Sequence, residues 1–190
     1  MLKAGAGQTW SVIFTPTDPV NYNGASMTVP LTVNKATPTI TWSAPAAITY
    51  PTALSATQLN ATASVAGGLV YTPALGAVLN TGAGQTLSVT FTPTDTANYN
   101  GASTTVPITI NKGTSTVTWS APAAITYPAA LSATQLDATA SVPGTGVYSP
   151  APGAVLNAGA GQTLSVTLTP TETANFKQAT GQRARTVTTA

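Results

Sequence analysis

The chain contains no cysteine and no histidine, and it has four acidic side chains against six basic ones in 190 residues. Without cysteine there is neither a thiol nucleophile nor a disulfide staple. Without histidine the imidazole base and the commonest zinc ligand are missing too. Charged residues make up 5% of the chain, where about a quarter is usual. Such scarcity of charge accompanies disorder only when apolar content is also low, and here it is 43%. The composition therefore describes a globular chain whose surface is polar mainly through hydroxyls, since threonine accounts for about a fifth of the residues. A net charge of +2 is too small and too scattered to predict a nucleic-acid partner. No apolar run approaches the roughly 20 residues of a helical membrane span. The opening Met-Leu-Lys-Ala-Gly-Ala-Gly-Gln has no apolar core of a signal peptide.

What is present is repetition. Gln8, Gln85 and Gln162 recur at equal steps (85 − 8 = 77 and 162 − 85 = 77), each within Ala-Gly-Gln-Thr. Trp42 and Trp119 keep the same step inside one decapeptide, Trp42–Pro51 and Trp119–Pro128. A period this long marks small domains in tandem, because solenoid units run roughly 20–50 residues. It divides the chain into the C-terminal part of an incomplete repeat (1–34), a complete repeat (35–111) and a further repeat whose last strand has degenerated (112–190). Links such as Val33-Asn-Lys-Ala36 and Ile110-Asn-Lys-Gly113 are too short for free swivelling. Lys35 and Lys112 recur there and read as solvated linker charges.

Within a repeat the apolar residues alternate with period two, the mark of half-buried strands. Leu87, Val89 and Phe91 alternate with threonines and serine over 85–92. The same face returns as Leu164, Val166 and Leu168, and as Trp10, Val12 and Phe14. Val106, Ile108 and Ile110 form another such row, in which Pro107 predicts a sheet edge or a bulge. Turn chemistry lies between the runs, at Tyr50-Pro51, Gly67-Gly68, Gly82-Ala-Gly and Asn100-Gly101. The stretch 53–61 has some helical character, but its serine and threonines predict a short turn. About seven short strands with one polar face each predict an all-β fold, a two-layer antiparallel sandwich in every full repeat.

The phrases Thr92-Pro-Thr-Asp-Thr-Ala-Asn-Tyr99, Asn111-Lys112 and Ile48-Thr-Tyr-Pro-Thr-Ala-Leu-Ser-Ala-Thr57 resemble bacterial immunoglobulin-like repeats of the MBG and group 3 types. The likeness covers essentially the whole chain. It implies a disulfide-free Ig-like sandwich acting outside the cell or on its surface, as a spacer or adhesive module without catalytic residues. Asp95-Thr-Ala-Asn-Tyr99 is similar to the tyrosine corner of Ig domains, in which the tyrosine hydroxyl bonds back to the backbone. The last repeat has Glu172 and Phe176 at these places, so it has no hydroxyl to donate.

Functional readings of single residues are outweighed by structural ones. Asp18, Asp95 and Glu172 recur once per repeat, with Asp137 added in the last. One carboxylate per repeat cannot furnish the six to eight oxygens of a calcium site, so turn capping is the expectation and no metal or cofactor is assigned. Gly82-Ala-Gly-Gln-Thr86 lacks the ending of a phosphate loop and opens a strand, so it reads as a turn. Trp42, Trp119, Tyr50 and Tyr127 are candidates for sugar stacking, but their alternation with threonine places them in the core. The threonine ranks, like Asn60-Ala-Thr62 as a glycan acceptor, say no more than ordinary strand composition.

No base and nucleophile can be assembled, so the expectation is a non-catalytic spacer of a bacterial extracellular protein, in contact with neighbouring repeats of its own kind. The alternatives are a glycan- or matrix-binding module and a subunit that polymerises by strand exchange. The last of these starts from the two ends. Arg183 and Arg185 replace Val106 and Ile108 in the final repeat, which predicts a strand frayed or turned outward. A chain that is a piece of a longer array, cut within a repeat at its start, accounts for both ends most simply. The sharper alternative is that the intact strand Thr28–Val33 of a second molecule takes the place of the defective one.

Overall fold

The computed structural model describes residues 2–121 and 124–190. Among them there is no helix; the fold is all-β, built of fourteen strands. The long strands are β1 (Gly5–Phe14), β2 (Ala25–Val33), β6 (Gly67–Thr72), β7 (Gly82–Pro93), β8 (Ala102–Asn111), β12 (Gly144–Ser149), β13 (Gly159–Pro170) and β14 (Ala179–Thr188). Two-residue strands complete the set: β3 (Ile40–Thr41), β4 (Ile48–Thr49), β5 (Thr62–Ala63), β9 (Val117–Thr118), β10 (Ile125–Thr126) and β11 (Thr139–Ala140). The bounds of β3 to β8 reappear, one repeat period on, as those of β9 to β14.

The strands assemble into several sheets, ordered β4-β8-β7-β6 and β10-β14-β13-β12, with two-stranded pairs β3-β5, β9-β11 and β1-β2. The four-stranded sheets are mixed and not antiparallel throughout. β4 runs parallel to β8 through Ile48 opposite Ile110, and β10 runs parallel to β14 through Ile125 opposite Val187. A parallel neighbour needs a long crossover, and the intervening β5, β6 and β7 supply it. β4 covers β8 only at Ile110 and Asn111. Pro107 thus lies where β8 has no β4 residue beside it, so its missing N–H removes no bond to that strand.

The chain divides into two compact units. One holds the stretch up to Pro45 with Leu54–Ala77 and Thr86–Ile108; the other holds Ala46–Ala53, Val78–Gln85 and Thr109–Ala190. In the first, Leu87, Val89 and Phe91 of β7 and Val106 and Ile108 of β8 are buried, as are Leu54, Leu59 and Ala61. The alternation in β7 is followed closely: these apolar side chains are buried while Thr86, Thr90 and Thr92 are exposed. In the second, Trp119, Leu131, Leu136, Leu164 and Val166 form one cluster, with Val117, Ile125, Tyr148 and Leu156 packed around it. Burial of each large side chain contributes roughly 1.5–3 kcal/mol, so these rows, more than the short strands, hold the units together.

Two expectations are corrected. Gly82-Ala-Gly is no turn between strands; it lies inside β7, and Gly84 has φ of +66°. Its counterparts Gly7 and Gly161, at +75°, sit at the register shifts of β1 and β13. A left-handed residue within a strand makes a β-bulge, which only glycine forms at little cost. The final strand is neither frayed nor turned outward. β14 pairs with β13 from Ala179 opposite Leu168 to Val187 opposite Gly159, and with β10 at its end. Main-chain pairing along the strand holds it in place despite Arg185, whose side chain is only 4% exposed. The site that an exchanged Thr28–Val33 strand would need is therefore filled, and those residues pair with β1.

Candidate functional site

The recurring carboxylates build turns. Asp18 accepts from Asn21 Nδ2 at 2.8 Å and from the Val20 and Asn21 amides. Asp95 accepts from Asn98 Nδ2 at 2.7 Å and from the Asn98 amide at 3.1 Å. Donation by the asparagine side chain, helped by these amides, holds both carboxyls below the ordinary aspartate range. Glu172 accepts from Asn175 Nδ2 at 3.3 Å. The acid and an asparagine three residues later form one device, used once per repeat. Among the described residues no three acidic side chains come together as a metal site would require.

The asparagine also has a second partner, which the sequence did not reveal. Asn98 Oδ1 accepts from the Ala4 amide at 2.7 Å, and Asn175 Oδ1 accepts from the Thr81 amide at 3.0 Å. The second pair is the first moved on by one repeat period, and each lies where one sequence repeat passes into the next. At the same places Lys35 Nζ donates to the Thr96 carbonyl and Lys112 Nζ to the Thr173 carbonyl, each at 2.7 Å. The two lysines are exposed, as expected of solvated linker charges, and each is also anchored to a carbonyl group. Backbone bonds add to this: Ala36 N to Asn98 O and Asn100 N to Ala36 O in the first unit, Gly113 N to Asn175 O and Lys177 N to Gly113 O in the second. The signal was available as the recurrence of Asp-x-x-Asn and then Asn-Lys, but nothing in sequence spacing shows that a lysine meets a carbonyl so far along the chain.

Tyr99 forms an isolated bridge with Ala36, and Phe176 one with Gly113. Among the described residues the Tyr99 hydroxyl makes no hydrogen bond back to the backbone of the kind a tyrosine corner has. Phe176 instead stacks edge-on against Tyr50, ring centroids 5.3 Å apart, and the Tyr50 hydroxyl donates to Glu172 Oε2 at 3.1 Å. That bond to a carboxylate raises the Tyr50 phenol above its ordinary range. An added Cβ on Gly113 would stand 2.7 Å from both Phe176 and the Tyr50 carbonyl, so this close approach requires glycine.

The indoles are packed and hydrogen-bonded. Trp119 is buried, and Trp42 is half-buried; each lies edge-on to a tyrosine, Tyr148 and Tyr71, at 5.4 Å. Trp42 Nε1 donates to Gln58 O and Trp119 Nε1 to Gln135 O and Asp137 Oδ1. Gln58 in turn builds the single turn at 55–59 by accepting from the Ser55 amide and hydroxyl. Leu87, Val89, Phe91, Leu164, Val166 and Leu168 are all buried. Tyr127, at 47% exposed, stands outside this packing.

No family model and no characterised protein matches the chain. Among the described residues no helix is long and apolar enough to cross a membrane.

Proposed function

We propose that the chain is a non-catalytic spacer made of immunoglobulin-like sandwich repeats, at the period marked by Gln8, Gln85 and Gln162, belonging to a bacterial extracellular or surface protein. The observation that supports it best is the recurring junction. Where repeat passes into repeat, a lysine and backbone amides donate to the turn that holds the acid, one of the amides to that turn's asparagine. A chain that needs only to hold other domains apart gains from such junctions, since a flexible link would let its ends approach. Charge-poor, threonine-covered strands without a clustered acidic or aromatic loop surface fit the same role better than that of a glycan binder. The extracellular assignment rests on the family resemblance.

Native-state hydrogen exchange tests the proposal. A spacer requires the amides of Ala36, Asn100, Gly113 and Lys177 to be protected as strongly as those of the adjoining strands. Exchange at these four positions near the rate of unstructured peptide would overturn it. Binding of soluble glycans or matrix proteins at micromolar affinity would overturn it in favour of the adhesive reading.

A further inference from the structure

A cavity of about 230 Å³ lies in the second unit, walled by β9 and β11 on one side and by β12 and β13 on the other. Nine residues line it, and six of them are identical to their counterparts 77 positions earlier. The other three are all smaller: Val117 stands for Ile40, Gly146 for Leu69 and Leu168 for Phe91. Together they carry eight fewer side-chain carbons, four of them at position 146. Register turns that position inward. Gly146 lies opposite Leu168 and Tyr148 opposite Val166, so all four share the face on which Leu168 and Val166 are buried. In the first unit Leu69 lies opposite Phe91 in the same register, half-buried beside a ring that is 1% exposed. That ring covers Gly67, where an added Cβ would stand 2.4 Å from Phe91 Cζ. The walls differ accordingly: Ala61 is buried and Ala63 half-buried, whereas Ala138 is half-buried and Ala140 exposed.

No charged residue lines the cavity, and its two side-chain hydroxyls are already engaged. The Ala138 amide donates to the Tyr148 hydroxyl at 3.0 Å, and Thr139 Oγ1 donates to the Thr118 carbonyl at 3.2 Å. The inner wall is the buried Val166 and Leu168, and the mouth lies beside the exposed Thr139, Ala140, Gly144 and Gly146. Those four belong to β11 and β12, each the outermost strand of its sheet, so main-chain groups there are free to bond a polar atom. A carboxylate or ammonium would enter without a counter-charge, at a heavy desolvation cost that a neutral group escapes. An apolar cavity of about 150 Å³ already takes up benzene. We propose that this cavity binds a neutral single-ring aromatic molecule of the phenol class. Its ring takes the space that Leu69 and the end of the Phe91 ring fill in the first unit, and its hydroxyl turns to the main chain at the mouth.

Water is the weaker occupant, because the inner wall offers it no free polar side-chain group and a buried water needs two to four partners. A branched alkyl group is weaker too. Gly144 and Gly146 form a wall without side chains, which suits the flat face of a ring, and a ring is what crosses Gly67 in the first unit. A module of any role would keep this cavity, so it stands apart from the spacer reading.

The probe is phenol, added to the full 190-residue chain and followed by methyl NMR. The Val117, Val166 and Leu168 signals should shift saturably, with half-saturation below about 1 mM, an affinity within reach of so small a ligand. Ile40 and Val89, the counterparts of Val117 and Val166, are the control in the same sample and should not move. Benzoate, the same ring with a charge, should bind at least about tenfold more weakly. Gly146→Leu restores the side chain of the first unit and should weaken phenol binding by about tenfold or more. Gly146 has no positive φ, and an added Cβ meets only Val166 Cγ2, at 3.3 Å, so the variant keeps its strand. Leu168→Phe closes the same space from β13 and should act alike. Shifts that never saturate, or that appear equally in both units, would mean adventitious contact only and would overturn the proposal. Undiminished binding by both closing variants would overturn it as well. So would concentration-dependent shifts of the same methyls without phenol, which would assign the cavity to a side chain of a second copy.

Discussion

Among the described residues Arg185 alone has buried side-chain nitrogens without a hydrogen-bond partner, and replacing it is the sharpest test of how the second unit is held together. Its side chain is 4% exposed, and Nε, Nη1 and Nη2 all lie buried without a hydrogen-bond partner. Desolvation accordingly lowers its pKa. The corresponding residue one repeat earlier is Ile108, 1% exposed. A buried, uncompensated charge costs several kcal/mol, of the order of the roughly 3–5 kcal/mol seen when a buried pair loses one member. Isoleucine at 185 removes that cost and adds apolar burial, so Arg185→Ile should stabilise the unit by about 3–5 kcal/mol. For a cooperative unit of this size each kcal/mol raises Tm by roughly 4–8 °C, which makes the expected rise more than about 10 °C. Urea unfolding followed by tryptophan fluorescence suits the measurement, because Trp119 lies in the core cluster of the same unit. The midpoint should rise with the slope unchanged, the signature of a stability effect without a change in exposed area. Arg183→Val serves as the control. Arg183 is exposed and donates through Nε to the Trp119 carbonyl, so its replacement should change stability by less than about 1 kcal/mol. A shift below about 1 kcal/mol for Arg185→Ile would refute the reasoning, because the guanidinium would then have to be solvated or paired in solution.

Further outcomes follow from the same structure. Phe91→Ala should cost on the order of 3–5 kcal/mol, whereas Phe14→Ala, at the corresponding but exposed place, should stay within about 0.5 kcal/mol in urea unfolding. The Asp18 and Asp95 carboxyls are held below the usual range, so their folded pKa lies below the unfolded one. Their contribution is present above the ordinary aspartate pKa and is lost as pH falls through the folded value, which the Asn21 and Asn98 side-chain amide signals should report by NMR. Tyr50 is the opposite case: its folded pKa is raised, so its bond to Glu172 contributes below the ordinary tyrosine pKa and is lost as pH rises through the folded value. The difference in Tm between the native chain and Tyr50→Phe should therefore vanish at alkaline pH. Melting temperatures in chelator and in millimolar calcium should agree within about 1 °C, since single carboxylates per repeat cannot fill a calcium shell.

How far the sequence could be read depended on how local each interaction is. β7 and β13 were legible because threonine and apolar residues alternate for many residues, and a strand must expose one row and bury the other. Even the two-residue strands β3 and β4 carry a local trace, since Ile40 and Trp42, then Ile48 and Tyr50, alternate with threonine. The parallel pairing of Ile48 with Ile110 is set by a register between stretches distant in the chain, which no local pattern encodes. Gly84 was visible as a glycine in a turn-like phrase, but a bulge inside a strand and a turn between strands use the same residue for the same positive φ. Lys35 and Lys112 are exposed, as their place beside a linker suggests, but the hydrogen bond each makes was not legible. A lysine beside a linker is ordinarily free, and the carbonyl that anchors each one belongs to a turn far away in sequence. Arg185 misled in the other direction. Its charge suggested that the strand would yield, yet the pairing of β14 with β13 along most of its length outweighs one unfavourable side chain.

The three copies of the hairpin face separate what a strand's own sequence decides from what its neighbours decide. β1–β2 and β13–β14 pair in equivalent registers about the same glycine bulge, and β7 carries Gly84 with positive φ at that place. Hairpin formation thus depends on alternation and on glycine, not on cover. Burial behaves differently. Val12 and Val89 are the same residue at the same place in the same kind of strand, and one is 66% exposed while the other is 1%. The difference comes from the stretch of chain that precedes the hairpin, which is present before β7 and β13 and not among the residues before β1. Selection on the hairpin face should therefore be read together with its cover. Where cover is present, an arginine such as Arg185 is costly; where it is absent, large apolar side chains such as Trp10 and Phe14 are exposed at a cost of their own.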